Sequence, residues 1–430
     1  MDYVFEIAKK INSGANIALY SLGVNTALVL NELKAKFNVL PAVICDKDAL
    51  KHGKKYKGFY GLDIMPIEAA LKNFDKLEVF ITSLNYRHQI IGELTENSII
   101  SKEHIINFVP VEKRKGCNLL ENRALYFDGW LQFCVCEDTA PKILKYTNEK
   151  AKEFMELQEF HSKAIAVDSK NTSCYDCGTI KEDYYPVDRQ LTSFNYCNPH
   201  ICNFRCVYCF SVGLDVNRPK KDADIELGEL MKPYLDNGWL DENYELILST
   251  AGEPTIHPKR ADYYNAFNGY VMVVNTNGSV FDEDLFALMN EKKVYVQISI
   301  DSGTKETFIS VKGVDCFERV VKNISMYNEA KIGMVMLKYI FIPGLNDSDE
   351  DLRGFLEIVD KTDVSFVNLA IVFASHRVGH GSILDVTSKS IDQMRNLKAE
   401  IEKRNKLCFL NTANETYDTV EILENQVGRQ

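Results

Sequence analysis

An α/β architecture is the fold class this sequence predicts, on three observations. Short apolar runs alternate with helical patterns over residues 1 to about 100. The same alternation resumes near residue 190 and persists to the end. The stretch between them has less regular periodicity and is studded with cysteines and turn residues. Strand–helix alternation at this spacing marks parallel sheets covered by helices. A chain of 430 residues is too long for one ordinary core. It divides into an α/β module at 1–100, a cysteine-rich segment at 101–188, and a larger α/β domain with a C-terminal extension at 189–430. No repeat, low-complexity tract or Pro/Gly linker separates these pieces, so they are expected to pack closely.

In the first module, residues 16–20 (NIALY) read as a strand, 26–36 as a helix, 41–45 (PAVIC) as a second strand, 66–73 as a helix and 78–82 (EVFIT) as a third strand. The turn Ser21-Leu22-Gly23-Val24-Asn25-Thr26 stands where a dinucleotide fold keeps its glycine fingerprint, and Asp46 stands where the ribose acid would be. Only Gly23 remains of the three glycines, which argues against NAD. With the strand–turn–helix start, the Cys45-Asp46 strand end and the Gly58…Pro66 stretch, this part resembles the Rossmann-like sugar-nucleotide-binding modules attached to bacterial glycan-modifying enzymes. A degenerate Rossmann domain with a scaffolding role fits the same residues, since fold does not fix function.

Composition narrows the chemistry. Hydrophobic residues make up 46% and charged residues 26%, the balance of a globular chain. A net charge of −11 disfavours unspecific nucleic-acid or anionic-membrane binding. No apolar run approaches the roughly 20 residues of a bilayer span, and the start MDYVFEIAKKINSG lacks a signal-peptide pattern. A cytoplasmic protein is expected. Nine of the twelve cysteines, Cys117 to Cys209, crowd into 93 residues. In a reducing compartment such a cluster points to metal or redox chemistry.

The third region opens on a strand at 191–196 followed by Cys202-Asn-Phe-Arg-Cys206-Val-Tyr-Cys209. Three thiolates on one tight loop can ligate three irons of a [4Fe–4S] cube and leave the fourth open to a small ligand. Further strands at 244–249, 270–274, 294–298 and through Lys338 and Ile340 each run into a polar or glycine-rich end, and 365–372 supplies a sixth strand. Those ends are Ala251-Gly252-Glu253-Pro254, Asn275-Thr276-Asn277-Gly278, Ser299-Ile300-Asp301-Ser302-Gly303, and Pro343-Gly344-Leu345-Asn346-Asp347. Zinc on the triplet would need a fourth ligand, for which Cys197 and His200 are the nearest candidates.

The triplet and the ordered motifs after it resemble the radical S-adenosylmethionine (SAM) superfamily. The resemblance implies a partial (β/α)6 TIM-like barrel over roughly 190–380, with its motifs at the C-terminal strand ends. It implies that Cys202, Cys206 and Cys209 hold a catalytic [4Fe–4S] cluster, with Tyr208 beside the loop. Ala251, Gly252, Glu253 and Pro254 would meet the methionyl ammonium of SAM, Glu253 ordering the loop. Asn275 ends a motif strand, and Ser299 and Asp301 would hold the ribose hydroxyls. Ala251 replaces the family's first glycine, which a negative φ tolerates. The implied reaction is reductive cleavage of SAM to a 5′-deoxyadenosyl radical that abstracts hydrogen from a substrate.

A second cysteine set lies upstream. Cys117-Asn-Leu-Leu-Glu121, Phe133-Cys134-Val-Cys136 and Cys174-Tyr-Asp-Cys177 resemble an N-terminal extension seen in some radical SAM proteins and associated with an auxiliary cluster. Cys117, Cys134, Cys174 and Cys177 are the four ligands so implied, with Cys136 an alternative to Cys134. A second [4Fe–4S] cluster is the expectation, and a structural zinc or plain thiols are the alternatives. A helix is expected at 148–162. His257 reads as a structural residue at a helix start, and Asn346 and Asp347 as turn formers. His376, Arg377 and His380 follow the last barrel strand, where Arg377 has the geometry to pair with a phosphate or carboxylate.

The expected activity is hydrogen abstraction from a small-molecule or carrier-bound substrate, most favourably a sugar or nucleotide-sugar compound, with flavodoxin or ferredoxin as electron donor. A peptide substrate is the alternative. A non-catalytic iron–sulfur scaffold is a third reading, against which the SAM-contact motifs argue.

Overall fold

The computed structural model describes residues 3–83, 86–106, 113–127, 129–133, 150–168, 180–184, 190–197, 201–209, 226–248, 252–371 and 388–411. The chain forms two compact units, one comprising residues 1–197, 224–247 and 262–272, the other 198–223, 248–261 and 273–430.

The first unit begins with the helix Tyr3–Asn12 and a five-stranded parallel sheet. Its strands Ile17–Tyr20, Val43–Cys45, Ile64–Met65, Glu78–Ile81 and Ile105–Ile106 lie in the spatial order third, second, first, fourth, fifth. The order reverses beside Ile17–Tyr20, which pairs in parallel with Val43–Cys45 on one side (Ala18 opposite Val43) and Glu78–Ile81 on the other (Ala18 opposite Val79). A doubly wound sheet has its crevice at such a reversal. Every residue of the strand Ile17–Tyr20 is buried, as a strand covered on both faces requires. The helix expected at 26–36 is α-helical over Val24–Glu32 and then widens into a π-turn, Leu33–Phe37, that ends at Asn38 in the left-handed region.

The cysteine-rich segment is more ordered than its periodicity predicts. Arg123–Phe127 pairs in parallel with Leu191–Cys197 and turns back antiparallel into Trp130–Gln132, with Gly129 at φ 85°. Tyr126 and Tyr196 stack at 5.3 Å between ring centroids. Arg114–Gly116 pairs antiparallel with Lys181–Tyr184, and the expected helix is Lys150–Asp168.

From Leu191 onward six strands alternate with helices along the chain: Leu191–Cys197, Leu240–Leu248, Val271–Thr276, Val294–Ser299, Met334–Phe341 and Phe366–Ile371. This is the α/β, parallel-sheet class with the strand–helix repeat of a partial TIM-like barrel. Within the second unit, Val294–Ser299, Met334–Phe341 and Phe366–Ile371 pair in parallel, and Leu407–Asn411 adds a further parallel strand beyond the six. Along Val294–Ser299 burial alternates, so Val294, Val296 and Ile298 are buried while Tyr295, Gln297 and Ser299 share the other face. Side-chain caps fix the helix starts. Asp282 accepts from the amides of Asp284 and Leu285, Thr304 from Thr307, and Ser348 from Asp351.

Candidate metal and cofactor site

The cysteine loop is held to the second unit by its backbone. The amide of Arg205 donates to the carbonyl of Lys312 at 2.9 Å and that of Val207 to the carbonyl of Val311 at 3.0 Å. Both acceptors lie in the last turn of the helix Lys305–Lys312, where carbonyls lack intrahelical partners. Gly313 follows at φ 72°, and a β-carbon there would stand 3.0 Å from Cβ of Arg205, so the loop backbone rests against the glycine. Phe204 packs edge-on against Phe308 at 5.9 Å. Asn203 donates to Ser279 Oγ and accepts from Asn277 Nδ2, both at 2.8 Å.

Cys202, Cys206 and Cys209 project from this loop, all partly exposed. The amide of Cys209 donates to the carbonyl of Cys206 at 3.1 Å, closing the turn between them. Burial pushes the Cys202 thiol up to about 11, opposed by the Phe204 amide, with Glu253 and the other two thiols adding to the rise. Burial also raises Cys206, and the Lys312 ammonium opposes it. Among the described residues, no three His, Cys, Asp or Glu side chains gather tightly enough for a single metal ion. Three cysteine thiols on one tight loop are a donor set that suits an iron–sulfur cluster, which offers one iron to each thiolate.

Glu253 ties the neighbouring loops together. Its amide donates to the carbonyl of Ile201 at 2.7 Å. Its buried carboxylate accepts from Thr255 N at 3.1 Å, Thr255 Oγ1 and Thr276 Oγ1 at 2.6 Å each, and Asn277 N at 2.6 Å. Burial raises its pKa, and those four hydrogen bonds pull the other way. Gly252 has φ 79°, a conformation that favours glycine, and Pro254 starts a short 3₁₀ turn. His257 is buried at the end of that turn and accepts from the Lys259 amide through Nδ1 at 3.1 Å. Ala251 lies outside the described residues.

Asn275 and Ser299 stand near the C-terminal ends of their strands, Asn275 accepting from Gln297 Nε2 at 2.6 Å. Asp301 is fully buried at φ 51°. Its Oδ1 accepts from the Ile340 amide at 2.7 Å, and its Oδ2 accepts from both Tyr208 Oη and Lys312 Nζ. Sequence reasoning missed Lys312, which reads as an ordinary basic residue at a helix C-terminus. It also missed Asp351, which accepts from the amides of Gly303 and Thr304 at 2.9 Å and from Tyr339 Oη at 2.5 Å. Asn346 does more than shape a turn: its Nδ2 donates to the carbonyls of Asp301 and Ile340 at 2.9 and 2.8 Å. Together these contacts fix the 299–304 segment.

Of the second cysteine set the structure describes Cys117, buried just before the helix Asn118–Asn122. Beside it, Arg114 pairs with Glu121 at 2.6 Å, and Tyr184 lies so close to Gly116 that a β-carbon there would stand 2.3 Å from its ring. Cys134, Cys136, Cys174 and Cys177 lie outside the described residues, as do His200, His376, Arg377 and His380. Cys197 is buried on its strand. In the first module, the Asp46 carboxylate is taken up by local structure. It accepts from the amides of Leu22 at 2.6 Å and Asp48 at 2.9 Å and pairs with Lys51 at 3.3 Å.

Residues 199–356 match the profile of the Radical SAM superfamily. Over 220 residues the chain is 24% identical to a protein of Saccharolobus islandicus described as "Probable GTP 3′,8-cyclase", covering 50% of this chain and 66% of that one. A GTP 3′,8-cyclase of Edwardsiella ictaluri is 24% identical over 195 residues, covering 43% and 58%. The chain thus spans about two thirds or less of the length of these relatives. Among solved structures, Streptococcus suis SuiB bound to precursor peptide SuiA aligns with a TM-score of 0.44 at 12% identity, over 66% of this chain and 58% of that one. A radical SAM methyltransferase from Sphaerobacter thermophilus aligns with a TM-score of 0.36 at 13% identity, over 49% and 63%.

Proposed function

We propose that this chain, which belongs to the radical SAM superfamily, cleaves SAM reductively and abstracts hydrogen from a small-molecule or carrier-bound substrate. The observation that carries this reading is the docking of the cysteine loop onto two motif loops, through Glu253 and through the Asn203–Asn277 pair. A scaffold holding iron would need three thiols; it would not need a buried carboxylate that joins them to two further strand ends.

The family's cofactors are a [4Fe–4S] cluster and SAM, which together supply a 5′-deoxyadenosyl radical able to attack an unreactive C–H bond. Cys202, Cys206 and Cys209 would hold the cluster. The Gly252–Pro254 loop, kept in shape by Glu253, would offer its backbone to the methionyl ammonium. Ser299, on the half-exposed face of its strand, would reach a ribose hydroxyl. Asp301 would contribute by shaping that strand end, because the Ile340 amide, Tyr208 and Lys312 occupy its carboxylate. Cys117, with Cys174, Cys177 and Cys134 or Cys136, would hold the auxiliary cluster. A flavodoxin or ferredoxin would supply the electron.

For the substrate we favour a nucleotide-bearing sugar compound. Two observations support it: the relatives named above act, by their descriptions, on a nucleotide, and the N-terminal sheet has the strand order of a doubly wound nucleotide-binding fold. The test of the activity is anaerobic reconstitution with dithionite and SAM. Release of 5′-deoxyadenosine is expected, and Cys206→Ala should abolish it; undiminished release by that variant would refute the cluster assignment. Deuterium transfer into 5′-deoxyadenosine from labelled nucleotide-sugar pools, and its absence with labelled peptides, would identify the substrate class.

A further inference from the structure

At the cysteine loop three side chains from three separate parts of the second unit meet: Tyr208, which is partly exposed, and the buried Lys312 and Asp301. Lys312 and Asp301 are 1% and 0% exposed. Lys312 Nζ donates to Asp301 Oδ2 and, at 2.9 Å, to Tyr208 Oη, and it stands 5.3 Å from the centroid of the Tyr208 ring. The Tyr208 hydroxyl donates to the same carboxylate oxygen. Lys312 therefore holds the loop twice, through its side chain at Tyr208 and through its carbonyl at Arg205. Cys206 sits between those two attachment points.

A charge pair taken wholly out of water is costly unless its geometry and its remaining hydrogen bonds are good. Asp301 meets that condition, with a backbone amide on its other oxygen and its own carbonyl held by Asn346. Packing alone does not call for a lysine at this position, since an apolar side chain would fill it without desolvating a charge. The reduction potential of an iron–sulfur cluster follows the charges and hydrogen bonds around it, and in a buried site they act with little screening.

We propose that Lys312 is a positioning residue for the cysteine loop, clamping Tyr208 and with it the Cys206–Cys209 arm, and that its ammonium makes a cluster held there easier to reduce. The inference rests on the radical SAM reading above.

The experiment compares Lys312→Gln, Lys312→Arg and Asp301→Asn in the full chain after anaerobic reconstitution. The readouts are iron content and the cluster midpoint potential, followed by electron paramagnetic resonance. Lys312→Arg should keep the parental iron content and midpoint. Lys312→Gln should make the cluster about tenfold harder to reduce, a shift of about 59 mV to more negative potential for one electron. Asp301→Asn, which removes the opposing charge, should shift it to more positive potential. Shifts of the same sign in Lys312→Gln and Asp301→Asn, or none in either, would overturn the inference. Loss of the cluster in Lys312→Gln that the arginine restores supports the clamp; loss that the arginine shares overturns it. The unsubstituted protein separates the two readings. If it takes up no reducible cluster, the radical SAM function fails; if it does and the variants match it, only the role of Lys312 fails.

Discussion

Thr276 donates its hydroxyl to Glu253 Oε1 at 2.6 Å, joining the ends of two strands at the mouth of the site. Glu253 serves four donors and Asn277 N takes its second oxygen. Glu253→Gln places an amide NH₂ or a single carbonyl among donors only, leaving at least one buried group unpaired. The expected cost is about 1–3 kcal/mol in stability. Because both tied loops carry motif residues, SAM affinity should fall as well. Calorimetric SAM titration alongside urea denaturation checks this, and a variant with parental SAM affinity would show that the loop is ordered by other contacts.

Gly303 tests the end of another strand, Val294–Ser299. A β-carbon built on it would stand 1.8 Å from the Asp351 carbonyl oxygen and 2.3 Å from the Phe355 amide nitrogen, both backbone atoms of the helix Asp349–Thr362. Neither can swing aside as a side chain would. Gly303→Ala should destabilise the protein toward the upper end of the roughly 1–3 kcal/mol typical of overpacking. It should also break the hydrogen bonds that Asp351 accepts from Gly303 and Thr304. Denaturant titration measures the loss, and a change below a few tenths of a kcal/mol would contradict the tight packing.

If both cysteine sets carry cubes, the reconstituted protein should hold about eight irons and eight sulfides per chain. Cys206→Ala should then keep about four of each, while Cys117→Ala should lose those four and retain the catalytic signal. Iron and acid-labile sulfide assays decide between this and the zinc alternative, which predicts about four irons and one zinc.

What could be read along the chain was what sits close in sequence. Cys202, Cys206 and Cys209 announce themselves by spacing, and the motif at Glu253 by its position after a strand. Lys312 was illegible because its partners are 11 and 104 residues away and a lysine ending a helix ordinarily faces water. Asp46 was legible as a residue at the end of a strand, but its engagement by Leu22 N appears only once the turn is folded. The strands of the cysteine-rich segment escaped because they are three to five residues long and most pair with partners far along the chain, as Arg123–Phe127 does with Leu191–Cys197. So short a run gives periodicity too little to work with.

Cys45 ends a fully buried strand of the first sheet, and burial, reinforced by Glu68 and Asp46, pushes its thiol up to about 12 from an ordinary 9.0. At pH 8 its thiolate fraction is then on the order of 10⁻⁴, so iodoacetamide should leave it unmodified in the native protein. The same shift carries a pH dependence of stability. The unfolded chain releases this proton near pH 9 while the folded chain holds it to about pH 12, so deprotonation favours unfolding across that window. Stability present below pH 9 should decline above it, by roughly 1.4 kcal/mol for each pH unit of separation. Tyr20, also pushed up to about 12, acts in the same direction above pH 10. Between pH 9 and 10 the other raised thiols, Cys202, Cys206, Cys316 and Cys408, act in the same direction, so Cys45 supplies one share of the decline. Urea denaturation of the parent and of Cys45→Ala over that interval should show a shallower slope in the variant, and equal slopes would place this thiol in contact with water.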